Sequence, residues 1–113
     1  MMNRINIREL LDSPSALTRE QGEIVYNYLI DKISKKETVI LDFSEIESLI
    51  TPFLNIAIGK LYKTFTSEEL NQYLSIENIP ASKKATLKIV IENAKRFYKD
   101  PKTFQSIVEG ELN

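Results

Sequence analysis

Hydrophobic and polar positions along this chain predict strands alternating with helices. From Arg4 to Arg8, Ile5 and Ile7 alternate with polar neighbours, the period of a short strand, and Asp12-Ser13-Pro14-Ser15 breaks it. Thr18 and Gln21 then form a capping-box pair, in which each side chain can satisfy a free backbone N–H, opening a helix that runs to about Ser34. Val25, Tyr26, Leu29, Ile30 and Ile33 make one broad apolar face of that helix. Gly22 continues the face, where a missing side chain either allows close approach to a sheet or is simply tolerated. Thr38-Val39-Ile40-Leu41-Asp42-Phe43 is a nearly continuous β-branched and apolar run, as expected of a central parallel strand covered on both faces.

After the acidic turn Ser44-Glu45-Ile46-Glu47-Ser48, Thr51-Pro52 supplies an N-cap hydroxyl and a proline at the first helical position. Leu54, Ala57, Ile58, Leu61 and Phe65 line one face of the helix so begun, with Asn55, Gly59 and Lys63 on a narrower opposite stripe. Ser67, followed by Glu68 and Glu69, predicts the cap and first turn of a short helix. A further strand is expected over Tyr73 to Ile79, closed by Pro80. The last long helix spans about Ser82 to Lys99 on a stripe of Leu87, Val90, Ile91, Ala94 and Tyr98. Asp100-Pro101 ends it and opens a short helix to Val108.

The order strand, helix, strand, helix, helix, strand, helix argues for an α/β layer structure, with a short parallel or mixed sheet packed by helices. At 113 residues the chain is expected to be a single domain over positions 1–113. With 42% apolar and 27% charged residues it is a globular composition. No run approaches the roughly 18 apolar residues of a membrane span. The first residues carry no apolar signal-peptide core, so a cytoplasmic location is the expectation.

Cysteine and histidine are both absent, which removes disulfides, thiol chemistry, Cys/His zinc sites, Ser-His-Asp triads and histidine acid–base catalysis. Glycines at positions 22, 59 and 110 cannot build a phosphate-cradling loop. Glu45 and Glu47 are a carboxylate pair, but nothing in the sequence separates their pKa values as an acid–base pair requires. No catalytic residue, metal site or cofactor is expected.

The segment from Val39 to Leu54 resembles the central signature of STAS domains, the fold of anti-sigma factor antagonists. In that family a strand ends in Asp-Leu-Ser, a small or acidic turn follows, and Ile-Asp-Ser-Ser-Gly-Leu opens the next helix. The segment is closer to a bacterial STAS-like family of unassigned function, with an Asp-Phe-Ser turn at Asp42-Phe43-Ser44 and then Phe53-Leu54-Asn55 leading an apolar helix. The likeness runs from Thr38 to about Ile79. It implies a non-enzymatic protein-interaction module in bacterial signalling or stress regulation, whose partner is an ATPase or serine kinase of the GHKL type. In the regulated relatives the second serine of the motif is phosphorylated to release the partner. Here Thr51 falls at the first serine and Pro52 at the second, so the usual phosphorylation position is lost and Thr51 is the remaining candidate. Ile50 replaces the second aspartate and Phe53 the glycine. The partner-binding candidates are Asp42, Ser44, Glu45, Glu47, Ser48, Thr51, Asn55 and Gly59.

Elementary physics offers the same place a rationale, since a helix N-terminus beside the carboxyl end of a central strand favours an anion or an acceptor group. Thr51 is equally a simple helix cap there, and Asp42 equally a strand end bonded to its own turn at Ser44. The formal net charge of −1 hides an asymmetry: residues 1–82 carry −4, 83–102 carry +5 and 103–113 carry −2. Lys84, Lys88, Lys95 and Lys99 form a basic face on the last long helix, expected opposite its apolar stripe, either a solvated face or a docking surface. Two alternatives follow, a nucleic-acid-associated adaptor using the basic helix over 83–99 and a structural homodimer. Few aromatics accompany the lysines, so base stacking gains little support and nucleic acid is the less favoured partner. The chain is expected to be a monomer or a weak homodimer with no membrane partner.

Overall fold

The computed structural model describes residues 2–99, apart from the side chain of Lys99. The chain opens with β1 (Met2–Asn6), α1 (Ile7–Leu11), β2 (Ser15–Ala16) and α2 (Arg19–Ser34). It continues through β3 (Thr38–Asp42), β4 (Ser48–Leu49) and α3 (Thr51–Ala57), then a 3-10 turn at Gly59–Lys63 and α4 (Ser67–Tyr73). Strand β5 (Leu74–Glu77), a second 3-10 turn at Ala81–Lys83 and α5 (Lys84–Lys99) complete the described part. The helix expected from Pro101 to Val108 lies outside the described residues.

Strands β1, β3 and β5 form a parallel sheet in that order, so β3 is central as its composition predicts. The fold is α/β. Both crossovers step in the same direction along the sheet, and crossovers of one hand then lay their helices on one face. Val39 and Leu41 point to that face and are wholly buried, each worth about 1.5–3 kcal/mol of apolar burial. Their neighbours in register, Ile5, Leu74 and Ile76, pack against the same core.

The opposite face corrects the expectation of a strand covered on both sides. Ile40 sits there between Arg4 and Ser75 in register and is only half-buried, while Arg4, Ser75 and Met2 are exposed. Among the described residues, a singly wound three-stranded sheet leaves that face without a covering helix.

Local signals decide the element ends. Thr18 accepts from the Gln21 N–H at 3.0 Å while the Gln21 side chain returns a bond to the Thr18 N–H at 3.1 Å, the capping box predicted for α2. The first strand is shorter than Arg4 to Arg8, because Asn6 accepts from the Glu9 N–H at 3.0 Å and starts a helix at Ile7. Ile7 is then buried as a helical residue. Helix α4 is capped by Thr66 rather than Ser67, since Glu69 stands three residues after Thr66 and completes its capping box. Strand β5 covers only the middle of Tyr73 to Ile79, as Tyr73 ends α4 and Asn78 turns the chain at a φ of 60°.

The expected face of Leu54, Ala57, Ile58, Leu61 and Phe65 is buried throughout, although the helix carrying it is not continuous. The α-helix ends at Ala57, Ile58 widens the backbone to φ −119°, and the chain tightens into the 3-10 turn from Gly59. Gly22 does allow a close approach, to α3 rather than to a sheet. A Cβ there would stand 2.9 Å from the Ile56 Cβ and 3.1 Å from the Phe53 carbonyl oxygen.

Gly22→Ala is therefore expected to cost about 1–3 kcal/mol in denaturant unfolding, because the obstacle includes backbone that cannot swing aside. Gly59→Ala is the contrasting case. Its Cβ would meet the Val90 Cγ1 at 3.4 Å and the Ala94 Cβ at 3.8 Å, ordinary packing distances, so the change should stay within about 1 kcal/mol.

Candidate functional site

The carboxyl ends of the three strands converge on Asp42. This residue is 8% exposed and is the buried acidic residue among those described. Its Oδ1 accepts the Ser44 N–H and the Asn78 side-chain amide, both at 2.9 Å. Its Oδ2 accepts from Arg4 at 3.0 Å, and the same guanidinium reaches Glu77 at 2.6 Å. One carboxylate thus joins β1, β3, the turn after β3 and the loop after β5. Three donors around a carboxylate favour its charged form. The Asp42 pKa falls to about 2, chiefly through the Asn78 hydrogen bond and then the Ser44 N–H, with the Arg4 charge adding to both against the opposing effect of burial. The Arg4 pKa is raised in turn, first by its bond to Glu77.

The segment after β3 is pinned by its backbone and displays alternate side chains. The Ile46 N–H donates to the Phe43 carbonyl at 3.1 Å, and the Glu47 N–H donates to the Pro14 carbonyl at 2.7 Å. Next, β4 pairs in parallel with β2, Ser48 opposite Ser15 and Leu49 opposite Ala16. Ile46 and Leu49 are buried while Glu45, Glu47, Ser48, Thr51 and Pro52 are exposed. Glu45 holds a left-handed backbone at φ 66°, an uncommon conformation for a residue with this side chain. Arg8 lines a shallow polar depression with Glu45 and Glu47. Ser44 is half-buried and its hydroxyl accepts from Asn6 at 3.4 Å.

Of the residues singled out by sequence, the structure brings Asp42, Ser44, Glu45, Glu47, Ser48 and Thr51 into one segment at the carboxyl end of the sheet. Several details differ from expectation. Asp42 lies on the same face of the sheet as Arg4, where Ser44, Asn78 and Arg4 occupy its oxygens and leave it 8% exposed, so it supports the turn from behind. Thr51 is the first helical residue, with Ile50 at the cap position and no capping bond from a side chain; Pro52 therefore stands second in the helix. Helix α3 is short, at seven residues.

Gly59 is buried beneath Val90 of α5, so that helix already uses the close approach suggested for a partner. Asn55 is exposed at the rim of an open cleft of about 440 Å³ between α3 and α5, with Val90, Asn93 and Phe97 among its walls. On α5, Lys84 and Lys88 are exposed and Lys95 is half-buried, while the side chain of Lys99 lies outside the described residues. At about 100° per residue Lys84, Lys88 and Lys95 flank the buried stripe and do not stand opposite it.

Sequence reasoning missed Arg4, Asn78 and Arg8. Asn6 and Glu9 have cap spacing and could have signalled α1, but Arg4 and Asn78 meet Asp42 across 38 and 36 positions, for which no local pattern exists. Among the described residues no cluster of three or more acidic side chains is placed to hold a metal ion. No described helix is long and apolar enough to cross a membrane.

The sign of the pH dependence follows from the lowered Asp42 pKa. A depressed carboxylate contributes stability above its unfolded value, near 4, and that contribution is lost as pH falls through about 2. Asp42→Asn is expected to cost about 1–2 kcal/mol at neutral pH after allowance for solvent screening, and the gap to wild type should close toward pH 2 in urea titrations. Thr51→Ala, which removes no cap, should change stability by less than about 0.5 kcal/mol, whereas Thr18→Ala should cost about 1 kcal/mol in the same assay.

A family model described as a STAS-like domain of unknown function matches residues 21–84, more than half of the chain. The match spans α2, the central strand, the acidic turn, α3 and β5, and stops short of β1. No curated protein and no solved structure gives a significant match. With the parallel sheet, the pinned turn after its central strand and the matched segment in agreement, the chain belongs to the family of STAS-like domains of unknown function.

Proposed function

We propose that this STAS-like domain is a protein-interaction module whose contact surface is the turn after β3 with the exposed start of α3. The observation that carries this reading is the construction of the segment from Ser44 to Thr51. Its backbone is held by Pro14, Ala16 and Phe43 carbonyls, its apolar side chains Ile46 and Leu49 are anchored in the core, and Glu45, Glu47, Ser48 and Thr51 are turned outward. A surface fixed before binding loses little conformational entropy when a partner arrives. Two exposed carboxylates on such a surface suit a partner with basic side chains at the matching positions.

The chemistry of the central carboxylate favours contact over catalysis. Asp42 is held ionised with its oxygens engaged by Ser44, Asn78 and Arg4, which leaves it poorly suited to exchange protons near neutral pH. The partner proposed is a protein of the ATPase or serine-kinase type, in a bacterial signalling or stress-regulation system. This part of the reading rests on the likeness to anti-sigma factor antagonists in the segment from Val39 to Leu54.

The test is affinity purification from the native cell with the wild type and with Glu45→Lys/Glu47→Lys, followed by titration of the purified partner. Charge reversal is expected to weaken binding about tenfold or more and to reduce its salt dependence, with unfolding stability within about 0.5 kcal/mol of wild type. A captured partner that binds the reversed variant with unchanged affinity would place the contact elsewhere on the domain.

A further inference from the structure

We infer that the loops following β3 and β5 form one conformational unit latched by the Asp42 carboxylate, so that the acidic turn and the entry to the basic helix α5 move together. The two loops follow neighbouring strands, Asp42 and Glu77 being partners in register. A single oxygen, Asp42 Oδ1, accepts from the backbone of one loop at Ser44 and from the side chain of the other at Asn78, each at 2.9 Å. The Phe43 N–H adds a backbone tie to the Glu77 carbonyl at 2.9 Å.

Each loop also holds a non-glycine residue in the left-handed region, Glu45 at φ 66° and Asn78 at φ 60°. Such residues keep that backbone when their surroundings over-determine it. For Asn78 the side chain that tolerates the left-handed conformation is the same one that reaches Asp42. The connection onward is short. Asn78, Ile79 and Pro80 lead straight into the turn at Ala81–Lys83, closed by the Lys83 N–H on the Pro80 carbonyl at 2.8 Å, and from there into α5. A displacement of the start of α5 therefore reaches Asn78 within a few residues, and through Asp42 it reaches Ser44 and the turn that displays Glu45 and Glu47. Coupling of this kind is reciprocal, so fixing the turn also fixes the start of the basic helix.

Asn78 is thereby a positioning residue for the turn, acting through Asp42, 36 positions away from it. The latch is a property of the folded chain and holds whether or not the turn contacts a partner, so the purification above and the following experiment can fail independently.

Backbone amide hydrogen exchange, read residue by residue on the full chain, tests the latch. Asn78→Gly keeps the left-handed backbone and removes only the amide, and Asn78→Asp sets a carboxylate against Asp42 on the same backbone. In both variants the Ser44 amide is expected to lose about tenfold in protection, the scale of one net hydrogen bond, while the amides of α2 keep theirs. The Asp42 carboxyl, followed by NMR titration, is expected to rise from its low pKa in Asn78→Gly. Gly22→Ala serves as the control, because it should lower protection without singling out Ser44. If Ser44 stays within about twofold of wild type in both variants, or if protection falls evenly across the sheet, the latch is overturned.

Discussion

The carboxylate of Asp42 lies at the end of the central strand with little access to water, and a charge in that position is costly unless it is bonded. Ser44, Asn78 and Arg4 supply the bonds, and each comes from a different part of the chain. The loss of hydration is offset by three donors, two of them neutral and one charged. The same bonds set the direction in which the chain leaves both β3 and β5. The left-handed turn at Glu45 and the return at Asn78 are therefore parts of one arrangement centred on a single side chain.

The way the sheet is wound explains why this arrangement stands at a surface. Three parallel strands added in one direction, with crossovers of one hand, place the helices on one face. The core formed there is tight, and Gly22 lets α2 and α3 approach so closely that even a methyl group would not fit. The opposite face keeps Arg4, Ser75 and Glu77 in or near water, which is how Arg4 can reach both Asp42 and Glu77 across the strands. Buried Ile46 and Leu49 then hold the turn down on the core side, and the pairing of β2 with β4 fixes its far end. What remains outward is a short acidic strip with a defined backbone. The proposed interaction role rests on that construction.

Legibility in the sequence tracked the range of the interactions involved. The capping box at Thr18 and Gln21, the apolar run of β3 and the buried face from Leu54 to Phe65 all depend on neighbours within a few positions, and each can be read directly. Thr66 is equally readable, since Glu69 three residues later marks it, although Ser67 beside it is also a capping residue type followed by acids. The roles of Thr51 and Gly59 were not readable. Whether Thr51 caps a helix depends on where the backbone turns, and that is set by the β2–β4 pairing and the burial of Leu49. Whether Gly59 faces a partner or another helix depends on where α5 docks, and Val90 and Ala94 come from thirty or more positions away.

By itself the sequence determined the α/β class, the central strand and the family likeness over the middle of the chain. These follow from hydrophobic period, cap spacing and turn chemistry, which act between residues close in the chain and leave a local record. Only the tertiary structure decided that Asp42 is buried in a hydrogen-bond network, that the described helices cover one face of the sheet and that Gly59 lies beneath α5. It also supplied Arg4 and Asn78, whose bonds to Asp42 close over 38 and 36 positions. The physical reason is that a hydrogen bond across such a distance leaves no period or spacing in the sequence, and exists only once the strands have been set side by side.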